Sequence, residues 1–285
     1  MTQAARLREL LRRPGMVVAP GAYDCITARL IERAGFDAVY MTGAGTAATF
    51  GYPDFGLLTM SEMAANAGRI ATAVALPVIA DADTGYGNEL NVVRTVRAYE
   101  TAGAAGLHIE DQGFPKKCGH LDDKEIVPRE EWLAKIRAAA QSRRDPDFLL
   151  IARTDSRAVA GLDEAIGRAN AALAAGADMV FVEAPQTLEE IAAVPRRVTG
   201  PCLLNVVRGG KTPDIDLAEA EAMGYKLAIL PGLLLKSVVG ICEQMLSELA
   251  ATRRHPAPAR ERTLRETFQL WGADEWDALR SRFRG

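Results

Sequence analysis

The sequence has few cysteines, and no two of them lie close enough in the chain to suggest a metal-binding or disulfide pair. The four cysteines among the 285 residues are Cys25, Cys118, Cys202 and Cys242. Their wide spacing excludes a zinc ribbon and the disulfide framework of a small secreted domain. Cys25, Cys202 and Cys242 have apolar sequence neighbours, so we expect them to be inert core thiols. The first thirteen residues carry no apolar signal core, so we expect a reducing, cytoplasmic setting.

The sequence also lacks a strong charge imbalance and any long apolar run. Lysine and arginine number 34 against 37 aspartates and glutamates, a net charge of −3 that gives no reason to expect a nucleic-acid partner. No uninterrupted apolar stretch is long enough to cross a bilayer, so we expect no membrane partner. Because no linker-like segment interrupts the chain, we expect residues 1–285 to form one domain, with residues 256–285 as a helical extension.

A repeated phrase, in which a glycine precedes a short apolar strand, organises the rest of the chain. It occurs in 34–42, 102–110 and 175–183, and more loosely in 223–230. With four further strand candidates and helical patterns between them, it predicts eight strands that are each followed by a helix. This alternation is typical of a closed parallel (β/α)8 barrel of the TIM type. An open doubly wound sheet is the alternative, but the first predicted strand is followed by no glycine fingerprint.

Acidic residues stand at the predicted strand ends, where such barrels place their chemistry. Asp81 and Asp83 end the third strand, and Glu110 ends the fourth. Three converging carboxylates repel one another unless a cation neutralises them, and oxygen ligands favour Mg²⁺, with Mn²⁺ as the second candidate, over zinc. For Asp111 and Asp155 we expect a loop cap or a surface charge instead.

The most distinctive stretch is the loop Lys116-Lys-Cys-Gly-His120, which follows the fourth strand. Its thiol, Cys118, stands beside two lysines and a histidine, an electropositive setting that favours the thiolate. A metal-binding strand end followed by a loop with an acid/base cysteine is one interpretation. A polar loop with a chance cysteine is the other. We expect His108, on the strand before this loop, to be a hydrogen-bonded neighbour of the site rather than a metal ligand.

These residues resemble the isocitrate lyase / phosphoenolpyruvate mutase superfamily. The five-residue loop, the phrases 81–87, 106–111 and 151–155, and Asn205 carry the resemblance, which spans nearly the whole chain. It implies a Mg²⁺-dependent barrel that cleaves 2-hydroxy or 2-keto dicarboxylates of the substituted-malate or methylisocitrate type through an enolate. It also implies a homotetramer with exchanged C-terminal helices. The alternatives are oxaloacetate hydrolysis or decarboxylation, and phosphorus transfer as in carboxyphosphonoenolpyruvate mutases.

The resemblance also implies roles for single residues, with Cys118 giving a proton to the enolate and Arg153 pairing with a substrate carboxylate or enolate oxygen. The other catalytic candidates are Tyr40, Lys116, His120 and Glu183. The substrate-binding candidates are Thr42, Gly43, Ala44, Asp54, Gly119, Asn205 and Arg208. The metal candidates are Asp81, Asp83 and Glu110, of which Asp83 would lie nearest the ion and the others would hold it directly or through water.

Two departures from the family bear on the substrate. Methylisocitrate-type lyases have a hydroxyl and an acid where this chain has Val207 and Arg208, and the turn 231–235 is apolar where tricarboxylate users have polar groups. We therefore expect a smaller or less charged substrate than methylisocitrate, with Arg208 as a candidate for a new carboxylate clamp. A Schiff-base aldolase would need a strand lysine in the barrel mouth, which the sequence does not predict. A non-catalytic barrel is the remaining alternative.

Overall fold

A computed structural model describes residues 1–284. The chain divides into two compact units, Met1–Ser237 and the residues from Val238 onward. The strands are β1 Val17–Ala22, β2 Val39–Met41, β3 Val78–Asp81, β4 Gly106–Glu110, β5 Leu149–Thr154, β6 Met179–Val182, β7 Cys202–Asn205 and β8 Leu227–Leu230. The helices are α1 Gln3–Arg12, α2 Cys25–Arg33, α3 Gly43–Thr49, α4 Met60–Ala73, α5 Glu89–Ala102, α6 Arg129–Ser142, α7 Ser156–Ala160, α8 Leu162–Ala174, α9 Leu188–Arg197, α10 Leu217–Met223, α11 Leu233–Thr252, α12 Leu264–Gln269 and α13 Ala273–Arg284.

The eight strands form a closed parallel barrel in chain order, which confirms the predicted (β/α)8 fold. The barrel closes between β1 and β8, where Val17 pairs with Leu227. One apolar cluster includes Ile151 and Phe181 from the strands and Leu7 from α1. Because strand side chains alternate between the two faces, residues of the opposite parity pack between the strands and the outer helices.

The glycines of the repeated phrase end the helices that precede the strands. Gly103 follows α5 with a φ of 89°, and its N–H bonds back to the Glu100 and Tyr99 carbonyl oxygens. Gly176 takes a φ of 106° in the corresponding place after α8. A side chain is strained in this left-handed conformation, so glycine is the residue that lets the chain leave the helix and enter the strand.

Some local features could not be read from the sequence. The first strand continues to Ala22, past Pro20 and Gly21. The glycine-rich stretch after β2 is helix α3, whose N-cap Thr42 accepts the Gly45 N–H. Cys202 is buried as expected, but Cys25 is only half-buried and Cys242 is exposed. These two thiols have apolar sequence neighbours on helices, and only the packing of a helix decides which of its faces is buried.

The second unit contains most of α11 together with α12 and α13. Several of its large apolar side chains are exposed: Leu264, Phe268, Trp276 and Phe283. Exposed aromatic side chains of this kind are suited to contact with another protein surface. The single-domain organisation and the exchange of these helices between subunits stay predictions. Within residues 1–284, no helix combines the length and the apolarity that crossing a membrane requires.

Candidate active site

A cavity of about 170 Å³ lies where the carboxyl ends of the strands meet. Most of the predicted site residues line it: Tyr40, Thr42, Ala44, Asp54, Asp81, Cys118, Gly119, His120, Arg153, Glu183 and Asn205. Their elements range from β2 to β7, so barrel closure brings together residues that are far apart in the sequence. Arg208 is exposed and lines an adjoining cavity with Asp214 and Ser237.

Asp81 ends β3 and is held by donors on the mouth of the barrel. Its Oδ2 accepts the Gly43 N–H at 3.2 Å, and its Oδ1 accepts the Asp83 N–H at 2.9 Å. A Cβ on Gly43 would lie 2.4 Å from Asp81 Oδ2, so only glycine allows this approach. Burial opposes ionisation, yet His108, Lys116 and nearby donors outweigh it and lower the pKa of Asp81 to about 2. Asp81 is therefore a carboxylate.

Asp83 lies just past the strand in a left-handed conformation, with a φ of 46°. The ammonium of Lys116 is 2.8 Å from Asp83 Oδ1 and also contacts Asp54. Burial raises the pKa of Asp83 to about 6 against the effect of Lys116. Burial lowers the pKa of Lys116, but the carboxylates of Asp83 and Asp54 have a larger opposite effect. The pKa of Lys116 therefore lies well above its ordinary value. Lys116 is therefore a charged partner of the predicted metal carboxylate.

Glu110 ends β4 and is fully buried. Its Oε2 forms an ion pair with Arg153 Nη1 at 3.0 Å, but neither carboxylate oxygen has a hydrogen-bond partner among the described residues. Burial raises the pKa of Glu110 well above its ordinary value, and Arg153 opposes that shift. A buried carboxylate oxygen without a donor is costly unless another group satisfies it.

The carboxylates suit a hydrated divalent ion better than one that protein ligands fully enclose. Within residues 1–284, no three His, Cys, Asp or Glu side chains are close enough together to hold an ion unaided. Mg²⁺ usually keeps several waters and takes one or two carboxylates together with substrate oxygens. The hard oxygens of Asp81, Asp83 and Glu110, with Glu110 Oε1 lacking a donor, fit that mode of binding.

Arg153, at the end of β5, is the central cation of the site. Its guanidinium contacts three buried carboxylates, those of Glu110, Asp155 and Glu183, at 3.0, 2.9 and 3.3 Å. Burial lowers the pKa of Arg153, but these carboxylates raise it well above its ordinary value. Although burial opposes ionisation of Glu183, Arg153 and His120 hold its pKa well below the usual range.

The expectation for Asp111 and Asp155 was wrong, because both are completely buried. Asp111 accepts hydrogen bonds from the Thr154 hydroxyl at 2.6 Å and from the Asp155 N–H at 2.7 Å. It also pairs with Arg168, a residue on α8. The residues that directly follow β4 and β5 are therefore buried and hydrogen-bonded to each other instead of turning toward solvent.

Residues 113–125, here called the lid, bring Cys118, Gly119 and His120 to the cavity. The lid is closed at its base by a bridge between Gln112 and Ile126. Inside it, Lys117 exchanges two hydrogen bonds with the Gln112 amide, at 3.0 and 2.8 Å. A Cβ on Gly119 would lie 2.5 Å from Arg153 Nη2 and from Glu183 Cγ, so the lid backbone rests directly on that ion pair.

The thiolate expected at Cys118 is not favoured by its surroundings. Burial chiefly, and then Asp54, raise the pKa of Cys118. Lys116, two positions before Cys118 in the sequence, directs its ammonium to Asp54 and Asp83 instead. Cys118 is therefore a protonated thiol that lines the cavity from the lid. A thiol in this form can act as an acid.

His120 and Asn205 complete the far side of the cavity. His120 Nδ1 accepts the backbone N–H of Lys211 at 3.0 Å, and its Nε2 is 3.2 Å from Glu183 Oε1. Asn205 donates to the other Glu183 oxygen at 3.1 Å. His108 bonds to the Tyr40 hydroxyl at 2.9 Å, the neighbouring role expected for it.

The apolar residues expected after β7 and β8, at 207 and within 231–235, border the cavity, whereas Lys236 was not predicted from the sequence. Val207, Pro231 and Leu235 form an apolar wall of the cavity, and Lys236 lies beside them. The Lys236 ammonium donates to the Arg208 carbonyl oxygen at 2.6 Å. Lys236 was overlooked because it falls within a predicted helix. The one sequence signal for its place at the barrel mouth is that it comes shortly after the turn at 231–232, which follows β8.

Comparison with known proteins supplies the family. A family model described as phosphoenolpyruvate phosphomutase matches residues 7–250. The chain belongs to the phosphoenolpyruvate mutase/isocitrate lyase superfamily. Among curated members, a 2,3-dimethylmalate lyase from Eubacterium barkeri is 53% identical over 232 residues, which are 81% of this chain and 80% of that protein. A 2-methylisocitrate lyase from Aeropyrum pernix is 45% identical over 243 residues, 85% of this chain and 78% of that protein.

Solved structures of the superfamily superpose on nearly the whole chain. A 2,3-dimethylmalate lyase has a TM-score of 0.95 at 41% identity and covers 100% of this chain and 96% of its own. An oxaloacetate acetylhydrolase with the inhibitor 3,3-difluorooxalacetate has a TM-score of 0.96 at 37% identity and covers 100% and 98%. A phosphonopyruvate hydrolase complex with oxalate and Mg²⁺ has a TM-score of 0.90 at 31% identity and covers 100% of both.

Proposed function

We propose that this protein is a Mg²⁺-dependent carbon–carbon lyase that splits a substituted 2-hydroxy dicarboxylate of the malate type into a keto acid and a carboxylate. One observation carries the proposal. A protonated thiol, Cys118, lies over a cavity that also contacts Asp81 and Arg153. An acid on the lid and a charged site on the barrel are what bond cleavage through an enolate requires. The superfamily members named as 2,3-dimethylmalate lyase and 2-methylisocitrate lyase agree with it.

Each part of the site has a role in such a cleavage. A bound divalent ion would lower the pKa of the substrate hydroxyl. The C2 hydroxyl releases its proton to solvent and its oxygen forms the C2=O bond of the keto acid. As the C2–C3 bond breaks, its electron pair moves through C3 to the oxygen of the adjacent carboxylate, and Arg153 holds the negative charge that develops there. Cys118 then gives its proton to C3. Thr42 and Ala44 border the keto-acid part, and Glu183 with Asn205 and His120 orients the far end of the substrate.

The wall of the cavity indicates the type of substituent. The side chains of Val207, Pro231 and Leu235 are apolar and have no hydrogen-bond donor. Burying an alkyl group against them is favourable, whereas burying a third carboxylate there would cost desolvation free energy. This supports an alkyl-substituted malate over methylisocitrate. Arg208, the predicted clamp, is outside this cavity, and its role stays a prediction.

Oxaloacetate cleavage is the second candidate, because an oxaloacetate acetylhydrolase superposes with a TM-score of 0.96. It would use the same metal carboxylates and the same Arg153. Mg²⁺ itself, with Mn²⁺ as the alternative, is also part of the proposal, and a superfamily structure named with oxalate and Mg²⁺ supports it. The homotetramer and the cytoplasmic setting stand as predictions beside it.

The test is a substrate screen with Mg²⁺ present, in which alkyl-substituted malates, oxaloacetate and methylisocitrate are offered and released pyruvate, glyoxylate or oxalate is detected. We expect turnover of an alkyl-substituted malate, complete inhibition by a chelator, and loss of turnover in Cys118→Ser with oxalate binding retained. Cys25→Ser is the matched control and should keep full activity. Wild-type turnover by Cys118→Ser, or activity that survives chelation, would contradict the proposal.

A further inference from the structure

Lys124 is a buried lysine on the returning arm of the lid, and nothing in the proposed chemistry uses it. Only 1% of its side chain is exposed. Its ammonium lies 2.8 Å from Asp155 Oδ1 and also donates to the carbonyl oxygen of Gly119. A buried ammonium is costly unless its donors are matched in this way, so the two contacts determine where the side chain lies.

The contact with Gly119 lies within the lid, and the contact with Asp155 joins the lid to the barrel. Gly119 is the residue between Cys118 and His120, and its backbone rests on Arg153 and Glu183. Asp155 is fixed from the other side, because its N–H donates to Asp111 Oδ1 at 2.7 Å and its Oδ2 accepts Arg153 Nε at 2.9 Å. Lys124 therefore connects the turn that carries the thiol to a rigid carboxylate at the end of β5.

Lys124 also supplies charge that the site needs. Arg153 faces the carboxylates of Glu110, Asp155 and Glu183 with a single positive charge. Because the Lys124 ammonium also pairs with Asp155, that carboxylate attracts the Arg153 guanidinium less strongly. Burial raises the pKa of Asp155, but Arg153 and Lys124 outweigh it and lower that pKa, so Asp155 stays ionised between its two partners.

We propose that Lys124 is a positioning residue that latches the lid shut, holding the Cys118–His120 turn over the cavity through Gly119 and Asp155. It touches no reacting atom in this arrangement. The consequence for catalysis rests on the proposed role of Cys118 as the acid, whereas the latch itself does not depend on which substrate is cleaved.

Lys117 offers a matched comparison on the same lid. It is only half-buried, and its ammonium donates to the Asp123 carbonyl oxygen at 3.2 Å, within the lid itself. Replacing Lys117 removes a lysine of the lid without removing a bond to the barrel. A general effect of lost positive charge would appear in both variants, and a latch would appear only at Lys124.

The test is the rate at which iodoacetamide alkylates Cys118, followed by peptide mass spectrometry in wild type, Lys124→Met, Lys124→Arg and Lys117→Met. Loss of a buried charged hydrogen bond predicts labelling about tenfold or more faster in Lys124→Met. Lys124→Arg should restore most of the protection, and Lys117→Met should stay within about twofold of wild type. Equal labelling of Cys118 in wild type and Lys124→Met would overturn the latch.

Cys202 provides the internal control for folding, because it is 1% exposed in the barrel wall. If Cys202 also reacts in Lys124→Met, the variant has unfolded, and Lys124→Gln is measured by the same criteria. Alkylation needs no substrate, so it decides the latch even if no lyase activity is found. Where activity is found, Lys124→Met should lower kcat by about tenfold or more, and Lys124→Arg should recover it.

Discussion

The Nδ1 atom of His120 accepts the backbone N–H of Lys211 at 3.0 Å. A neutral imidazole that accepts at Nδ1 carries its proton on Nε2, and that atom faces Glu183 Oε1 at 3.2 Å. The lid is therefore joined to the loop after β7 as well as to the barrel. His120 donates to Glu183 in this tautomer, and the carboxylate is held by donors from the lid, β5 and β7 together.

The close contact of the lid backbone at Gly119 with Arg153 and Glu183 predicts that adding a single methyl group has a strong effect. Gly119→Ala would place a Cβ 2.5 Å from both Arg153 and Glu183, so the lid could close only by displacing that ion pair. We expect kcat to fall by about a hundredfold while the melting temperature changes little, because the lid lies outside the core.

Gly113→Ala is the control for that experiment. Its Cβ would meet Glu125 only at 3.9 Å, which is ordinary contact, so activity should stay near wild type. Full activity of Gly119→Ala would show that the closed lid described here is not the catalytic one.

The pH dependence should reflect the buried thiol. Burial raises the pKa of Cys118, whereas a free thiol has a pKa of about 8.5. An acid must be protonated, so the alkaline fall in kcat should lie above about pH 8.5. Alkylation of Cys118, compared with a cysteine-containing peptide, should accelerate at correspondingly higher pH. A fall in kcat that is centred below about pH 8.5 and persists when the other cysteines are replaced by serine would contradict the assignment.

The raised pKa of Cys118 also makes the free energy of unfolding depend on pH. The folded protein retains the thiol proton at a pH where the unfolded chain has released it. The contribution of Cys118 to the free energy of unfolding is therefore present below about pH 8.5 and is lost as the pH rises through the folded-state value.

Metal affinity should depend on Asp83 more than on Asp54, which contacts the same lysine, Lys116. Asp83→Asn should weaken Mg²⁺ binding, measured by titration calorimetry with oxalate present, by at least about tenfold. Asp54→Asn shares the same lysine partner but keeps the predicted anchor, so its Mg²⁺ affinity should stay within about threefold of wild type. Equal losses in both variants would place the ion elsewhere.

The apolar surface of the second unit predicts self-association. Trp276 and Phe283 on α13 are 71% and 78% exposed, which is unusual for such large apolar side chains unless another surface covers them. Sedimentation velocity should give a tetramer for the wild type and smaller species for Trp276→Glu. Asp277→Ala, on the same helix, should remain tetrameric. A wild-type monomer at micromolar concentration would end this expectation.

The fold and the placement of most site residues could be predicted from the sequence for a physical reason. Short apolar strands, the glycines that end the helices, and polar residues at strand ends are local features, and β4 ends at Glu110 as its pattern indicates. Parallel closure then requires those ends to meet at one rim. The cluster of Asp81, Arg153, Glu183 and Asn205 follows from that requirement.

The rest depended on contacts between residues that are distant in the sequence. Asp155 is buried because Lys124 and Arg153 neutralise it, and Asp111 because Arg168 reaches it from α8. The state of Cys118 could not be read from its neighbours either. Lys116 stands two positions away, but its charge is directed to Asp83, and burial decides the proton on sulfur.

A thiol that enters the cavity from the lid can reach only one side of a flat intermediate whose other side faces the barrel. Protonation there would be stereospecific. Cleavage in deuterium oxide would leave the label in a single configuration at the new carbon centre, so the handedness of the product would record the direction from which Cys118 approaches.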